Sequence, residues 1–475
     1  MKERTLNPDL PSSYKGKKVA IVGLGVEGTD LAEFLVTEGA IVTLSDKKTF
    51  HEVEPLIERI KRQSPIAQVE YATAKNLTDD IDKYESVFVS QGVPENNPIL
   101  IEANNLNIRI SSMLELFMSR CPAPIVGITG SSGKTTTTAL VAAILETANE
   151  DFIVGGNIGK GLLTQLDDIQ NTTKVIVEMS HTQLLRVTRS PEIACVTNVT
   201  PNHLDQFSWD DYINLKRNII RWQEPKDIFV AQMDNPIVRE FMIEAKSQIL
   251  EVSTQTSATS DKVARVFLSS KFLKYINQKA EEITICNIEE LKIPGSHNVE
   301  NVACAAAISI LLDVDIKHIS AALISFSGVE HRLEEIDKVN NIAFINDSIA
   351  TTPDRTLVGL KSVEARTILL MGGRDKKLPF NNLLSEIAKK CSHVITFGEA
   401  RQVFKDRIIL AEVKVHDREF LGDAFKLAVE LAVPGDCILL SPGGTSFDQY
   451  RTFEERGAEF KKLANDLMRE SVACP

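Results

Sequence analysis

The strongest chemical signal in the chain is Gly127-Ile128-Thr129-Gly130-Ser131-Ser132-Gly133-Lys134-Thr135. It follows an apolar run (Ile125 to Ile128) and opens a stretch of helix formers (Ala139 to Leu145). Backbone amides of such a loop converge on phosphate oxygens. The lysine reaches the β- and γ-phosphates, and the hydroxyl beside it ligates magnesium. The strict pattern wants glycine at 128; here glycines fall at 127 and 130, so the loop is a variant. Gly130, Ser131, Ser132, Gly133, Lys134, Thr135 and Thr136 are the expected phosphate contacts, with a chance turn as the bland alternative.

A second glycine loop lies upstream. Gly23, Gly25 and Gly28 fit G-x-G-x-x-G between the strand-like Lys17 to Val22 and a helical pattern over Leu31 to Val36. Such a loop brings amides to a diphosphate at a helix N-terminus. Asp46, at the end of the next strand (Ala40 to Leu44), stands where an acid usually meets a ribose or base. The readings open here are NAD, another nucleotide, or a turn in an unliganded fold. The stronger downstream loop favours another nucleotide. Glu27 would repel a diphosphate unless it points away.

The elements that must position these loops are strands alternating with helices. Candidates are Ser86 to Val89, Ile108 to Ile110, Lys174 to Val177, Ile193 to Val196 and Ile228 to Ala231. Residues 245–290 read as shorter, more polar strands in an inserted sheet, and Val299 to Leu312 as an Ala-rich helix. Beyond 328, Ala343 to Ile345, Thr367 to Met371, His393 to Phe397 and Cys437 to Leu440 continue the alternation. The pattern breaks at Cys121-Pro122-Ala123-Pro124. The expected fold is α/β with three successive domains: 1–121 Rossmann-like, 122–327 P-loop ATPase-like, and 328–475 Rossmann-like.

Composition sets limits. The 475 residues are 43% hydrophobic and 25% charged, which excludes a disordered chain. No apolar run approaches the roughly 18 residues of a membrane span, and residues 1–13 have no secretory apolar region. The 7 cysteines are scattered without a C-x-x-C pair, as expected of a reducing cytoplasm. A net charge of −12 argues against a nucleic-acid partner.

Further motifs follow in order: Asn157-Ile158-Gly159; Glu178-Met179-Ser180-His181-Thr182-Gln183-Leu184; Asn198-Val199-Thr200-Pro201-Asn202-His203-Leu204-Asp205; and Tyr212 with Lys216. Then come Gly295-Ser296-His297-Asn298 with Asn301, His331-Arg332-Leu333-Glu334, and Asn346-Asp347-Ser348-Ile349-Ala350-Thr351. With the G-S-S-G-K-T loop, this series resembles the Mur ligases, which build the peptide stem of bacterial cell wall. The resemblance runs from Gly23 to Phe460. Met371 to Lys376, Leu440-Ser441-Pro442 with Ser446-Phe447-Asp448, and Phe453 to Phe460 resemble the branch that adds D-glutamate. The chain departs from the family pattern at Glu27, His181-Thr182, Asn202 and Ile349.

The resemblance implies an ATP-dependent ligase, cytoplasmic and monomeric, that passes through an acyl phosphate. Its substrates would be ATP, UDP-N-acetylmuramoyl-L-alanine and D-glutamate, with Mg2+. Lys134, His203 and Lys216 would be catalytic. Thr135, Glu178, His203 and Lys216 would serve metal, with Lys216 carbamylated. Asn298, Asn301, Arg332 and Asp347 would meet the nucleotide; N-capping is the alternative for the two asparagines. Gly25, Val26, Glu27, Gly28, Asp46, Gly92, Asn157, Ser180 and Gln183 would hold the UDP substrate. Thr351, Lys376, Ser446 and Phe453 would hold the amino acid, turn-capping being the alternative for Thr351 and Ser446. A sibling ligase for another amino acid, a non-catalytic nucleotide-binding relative and an NAD-dependent oxidoreductase are the competing readings.

Overall fold

A computed structural model describes residues 10–158, 161–202, 206–255, 264–293, 295–376 and 378–473. The chain divides into two compact units, Met1–Phe326 and Ser327–Pro475. Among the described residues no helix is long and apolar enough to cross a membrane.

The first unit holds two sheets. β1 (Lys18–Val22), β2 (Ile41–Ser45), β3 (Gln68–Tyr71), β4 (Ser86–Val89) and β5 (Arg109–Ser111) form a parallel sheet in the order β3-β2-β1-β4-β5. The order reverses beside β1, so the loop leaving β1 opens at a switch point, where ligands of such folds sit. That loop leads into helix Val26–Thr37, which buries Leu31, Ala32 and Leu35 against the sheet.

The second sheet is built from β6 (Ile125–Thr129), β7 (Phe152–Gly156), β8 (Lys174–Glu178), β9 (Ile193–Val196), β10 (Ile228–Gln232), β11 (Gln248–Ser253), β12 (Arg265–Ser269), β13 (Phe272–Ile276) and β14 (Glu282–Asn287). Its order is β14-β13-β12-β11-β10-β9-β6-β8-β7. The expectation of a separate inserted sheet over 245–290 is corrected. β11 pairs parallel with β10, and β12 to β14 extend the same ladder with an antiparallel tail. The unpaired edge of β11 makes this outcome the natural one. The Ala-rich helix Ser296–Leu311 is buried from Asn301 to Ser309. Its small side chains let it lie close between the sheet and helix Lys134–Thr147, in one core with Val126, Ile128, Leu140 and Ile144.

The second unit has β15 (Glu334–Val339), β16 (Ile342–Asn346), β17 (Thr367–Gly372), β18 (Cys391–Phe397), β19 (Lys414–Asp417) and β20 (Cys437–Gly443). Their order is β15-β16-β20-β17-β18-β19, parallel except for the β15–β16 hairpin. The closing helix Phe453–Ala473 packs Phe460 and Ala464 on this sheet.

Candidate active site

β6 is buried throughout, so the chain leaves the sheet at Thr129 and turns through Gly130–Gly133 into helix Lys134–Thr147. Gly133 is in the left-handed region (φ +81°), and a Cβ there would stand 2.2 Å from Asn301 Oδ1. Glycine is required on both counts. No side chain caps the helix, so its first amides and the positive end of its dipole face the loop. Lys134 Nζ folds back onto the carbonyls of Gly130 (2.9 Å) and Ser131 (3.4 Å). Thr197 Oγ1 donates to Ser132 O at 2.7 Å, Asn198 Oδ1 accepts from Ser132 N at 3.0 Å, and Ser131 Oγ meets Tyr212 OH at 3.1 Å. The loop is thereby held open from its neighbours on β9 and helix Trp209–Arg217.

Asn298 and Asn301 do not cap the helix that carries them. Gly295 occupies the N-cap, so that alternative is corrected. Buried Asn301 instead lies beneath Gly133, its Nδ2 donating to Asn298 Oδ1 at 3.2 Å.

Two charged side chains sit behind the loop at the same end of the sheet. Glu178, 1% exposed, ends β8. Its Oε1 accepts from Asn157 Nδ2 at 2.8 Å, while Oε2 is buried with no hydrogen-bond partner among the described residues. A buried carboxylate oxygen without a donor is a costly arrangement that a cation relieves. Lys216, also 1% exposed, donates to Thr129 Oγ1 at 3.1 Å, with Nζ 5.6 Å from the Tyr212 ring. Burial pushes its pKa well down, Lys134 pushes it further, and Glu178 opposes weakly. Thr135 lies in the first helical turn, its hydroxyl unengaged by the described residues. His203 lies outside the described residues. Thr129, a hydroxyl bridging Met179 O (2.7 Å) and Lys216, escaped sequence reasoning because it reads as strand.

At the first loop, a Cβ on Gly28 would fall 1.9 Å from Gly23 O. Gly25 is open to solvent and leaves helix Val26–Thr37 uncapped, with Val26 exposed beside it. Ser90 Oγ donates to Gly23 O at 2.7 Å, which brings the loop with Gly92 alongside. Asp46 is spent on the protein, accepting from Leu24 N and from Lys48 N (3.0 Å).

Glu27 faces protein groups in this structure. It is buried, accepting from Gln91 N at 2.9 Å and Gln183 Nε2 at 2.6 Å, and burial raises its pKa. Ser180 and Gln183 are likewise committed. Together they form a capping box for the turn His181–Leu184, and Ser180 Oγ donates to Gln91 Oε1 at 2.9 Å. These groups seam the first sheet to the second. Asp30 adds to the seam by accepting from Leu163 N and Thr164 N, and Glu115 by accepting from Thr188 N.

In the second unit, His331 and Leu333 both have positive φ (62° and 48°), strained values that bracket Arg332. Buried His331 faces Phe453 edge-on, with ring centroids 6.4 Å apart. Arg355 Nη1 donates to the Ile349 carbonyl at 3.2 Å, so a cation stands near the departure at 349. Lys376 is exposed, and neither Thr351 nor Ser446 caps a turn with its hydroxyl.

Asp347 is held by protein groups in this structure. It is 4% exposed and accepts from Ser441 Oγ (2.8 Å) and Leu333 N (3.3 Å). Burial pushes its carboxyl up to about 7, against the Ser441 bond and Arg332. A raised folded pKa gives stability that is full below the ordinary carboxyl range and is lost as pH rises through 7. Between pH 6 and 8 the loss should be about 1.4 kcal/mol. Asp347→Asn should flatten this part of the pH profile in thermal unfolding of the whole chain. An unchanged slope would contradict the assignment.

Residues 17–112 match the family model for the Mur ligase MurD-like N-terminal domain, 128–309 the Mur ligase middle domain, and 331–444 the Mur ligase glutamate ligase domain. The chain is 35% identical over 469 residues to the UDP-N-acetylmuramoylalanine–D-glutamate ligase of Acetivibrio thermocellus, spanning 97% of this chain and 98% of that protein. Identity to the protein of the same name from Clostridium tetani is 37% over 458 residues, spanning 95% and 97%. The crystal structure of UDP-N-acetylmuramate–alanine ligase MurC from Thermotoga maritima shares the fold, with TM-score 0.54 at 18% identity over 95% of this chain and 99% of that one.

Proposed function

The chain belongs to the Mur ligase family, and from that membership we infer that it joins D-glutamate to UDP-N-acetylmuramoyl-L-alanine, driven by ATP, in peptidoglycan precursor synthesis. The observation that carries the reaction class is the convergence of Lys134, the uncapped helix after Gly133, the orphaned Glu178 Oε2 and buried Lys216 at one end of the second sheet.

A carboxylate is a poor acyl donor in water. In this reading its oxygen attacks the γ-phosphorus, ADP leaves, and an acyl phosphate forms. The free amine of D-glutamate then attacks the acyl carbon. Inorganic phosphate leaves, and the amine gives up a proton as the amide forms. The protein supplies position and charge. Lys134 and the helix amides neutralise the phosphates. Lys216, held toward the free amine by burial, is nucleophilic enough to take up carbon dioxide. The resulting carbamate would present oxygen anions in place of an ammonium.

The orphaned Glu178 oxygen and the Thr135 hydroxyl fit a hard cation. One Mg2+ held by Glu178 and Thr135, and a second held by His203 and carbamylated Lys216, would offset charge on the phosphates. Residues 1–121 would take the UDP portion through the amides of Gly25 to Gly28 and the loop at Gly92, with Asn157 beside Glu178. Residues 122–327 would take ATP through the loop from Gly130 to Thr136, with Asn298 and Asn301. Residues 328–475 would take D-glutamate through Thr351, Lys376, Ser446 and Phe453. Glu27, Asp46, Ser180 and Gln183 would line the UDP substrate and Asp347 the nucleotide, each also bonded to protein groups.

Purified protein with ATP, magnesium and UDP-N-acetylmuramoyl-L-alanine should release phosphate when D-glutamate is added. L-alanine or a diamino acid should support far less. Turnover with another amino acid alone would reassign specificity within the family. Silence across the whole panel would remove the ligase reading.

A further inference from the structure

Arg456 is fully buried in the first turn of helix Phe453–Ala473. Its Nε donates to Ser348 Oγ at 3.0 Å, Nη2 to Ser348 O at 2.8 Å and Nη1 to Gly444 O at 3.1 Å. All these acceptors are uncharged; no carboxylate among the described residues bonds the guanidinium directly, and Asp448 attracts it only at longer range. Burial lowers its pKa to about 10, which leaves it cationic at neutral pH. A buried charge opposed only at a distance, here by the Asp448 carboxylate, is destabilising relative to an apolar side chain of similar volume. Packing alone does not account for it.

Its neighbours do. Ser348 lies three residues before Thr351, and its hydroxyl donates to Phe453 O at 2.8 Å. Gly444 lies two residues before Ser446. Gly373, three residues before Lys376, runs so close that a Cβ there would stand 2.9 Å from Arg456 Nη1 and 2.1 Å from Thr445 O. Paired backbone bonds between Arg374 and Thr445 (2.8 and 3.0 Å) join two of these segments. The fork of one side chain therefore touches every segment that carries a residue assigned above to the amino acid.

We propose that Arg456 is the positioning residue of the amino-acid pocket, fixing the segments that bear Thr351, Lys376, Ser446 and Phe453. Its charge, opposed only at a distance by Asp448, also biases that pocket toward an acidic substrate. This rests on the D-glutamate reading given above. Arg→Lys is not conservative at such a site, because lysine keeps the charge but loses the planar fork.

The test is steady-state kinetics of Arg456→Met and Arg456→Lys beside wild type, varying each substrate in turn. Arg456→Met should raise KM for D-glutamate about 30-fold, with KM for ATP and the UDP substrate within about twofold. It should also erode the preference for D-glutamate over D-glutamine. Arg456→Lys should regain much of that preference but little of the KM. An unchanged KM for D-glutamate, or an equal rise in all three KM values, would overturn the proposal. If Arg456→Met does not fold, Ser348→Ala decides. It removes one acceptor and the bridge to Phe453, and should raise KM for D-glutamate about fivefold; no change counts against the role. Wild type that turns over no amino acid would refute the function instead, so the two failures are distinct.

Discussion

Lys134→Met is expected to lower kcat for ATP-dependent phosphate release by about 10²–10³-fold, the range for losing one preorganised charge at a reacting centre. The side chain already rests on Gly130 O and Ser131 O, so it is poised over the loop before any phosphate arrives. Transfer of the γ-phosphoryl group spreads negative charge over oxygens that the helix amides alone cannot neutralise. The loop itself should survive, because Thr197, Asn198 and Tyr212 hold it independently of Lys134. Stopped assays of phosphate release and thermal unfolding of the same preparation check both halves. Near-normal turnover with an intact fold would mean that the reacting phosphate lies elsewhere.

The second large effect is expected at Lys216. Lys216→Met should reduce turnover by about 10²–10³-fold while raising Tm. The two signs together are the diagnostic. Lys216 is buried, is bonded among the described residues only to the Thr129 hydroxyl and lies in the field of Lys134, so methionine removes a costly buried polar group and keeps the volume. A structural lysine would give the reverse: lower Tm and retained activity. Lys216→Arg should be equally inactive, since a guanidinium does not take up carbon dioxide. Enzyme prepared free of carbon dioxide should recover activity when bicarbonate is restored, and 13C-bicarbonate should give a carbamate resonance in wild type but not in Lys216→Met. Equal activity with and without bicarbonate would exclude the carbamate.

Glu27, Asp46, Ser180, Gln183 and Asp347 are polar residues in motifs, and a motif records a residue's place in the chain but not the direction of its side chain. Glu27 points into the seam with Gln91 and Gln183, and Asp347 under Ser441. Their motif positions matter because they lock loops whose backbone amides then face outward. The strands with no sequence signal, β3, β7, β15 and β19, all lie at sheet edges. Edge strands are short and half-solvated, so they lack the apolar run that marks an interior strand.

Composition and spacing by themselves determined the α/β class, both glycine loops, the order of the motifs and, through them, the family. These are local properties: an apolar run is buried wherever it folds, and glycine is needed wherever the backbone turns left-handed or packs tightly. Only the tertiary structure decided that β11 to β14 extend the second sheet, that Asn301 lies under Gly133, that Glu178 keeps one oxygen without a donor, and that Arg456 links segments far apart in sequence. Those facts depend on which distant groups desolvate one another, and that is settled when the sheets close around them.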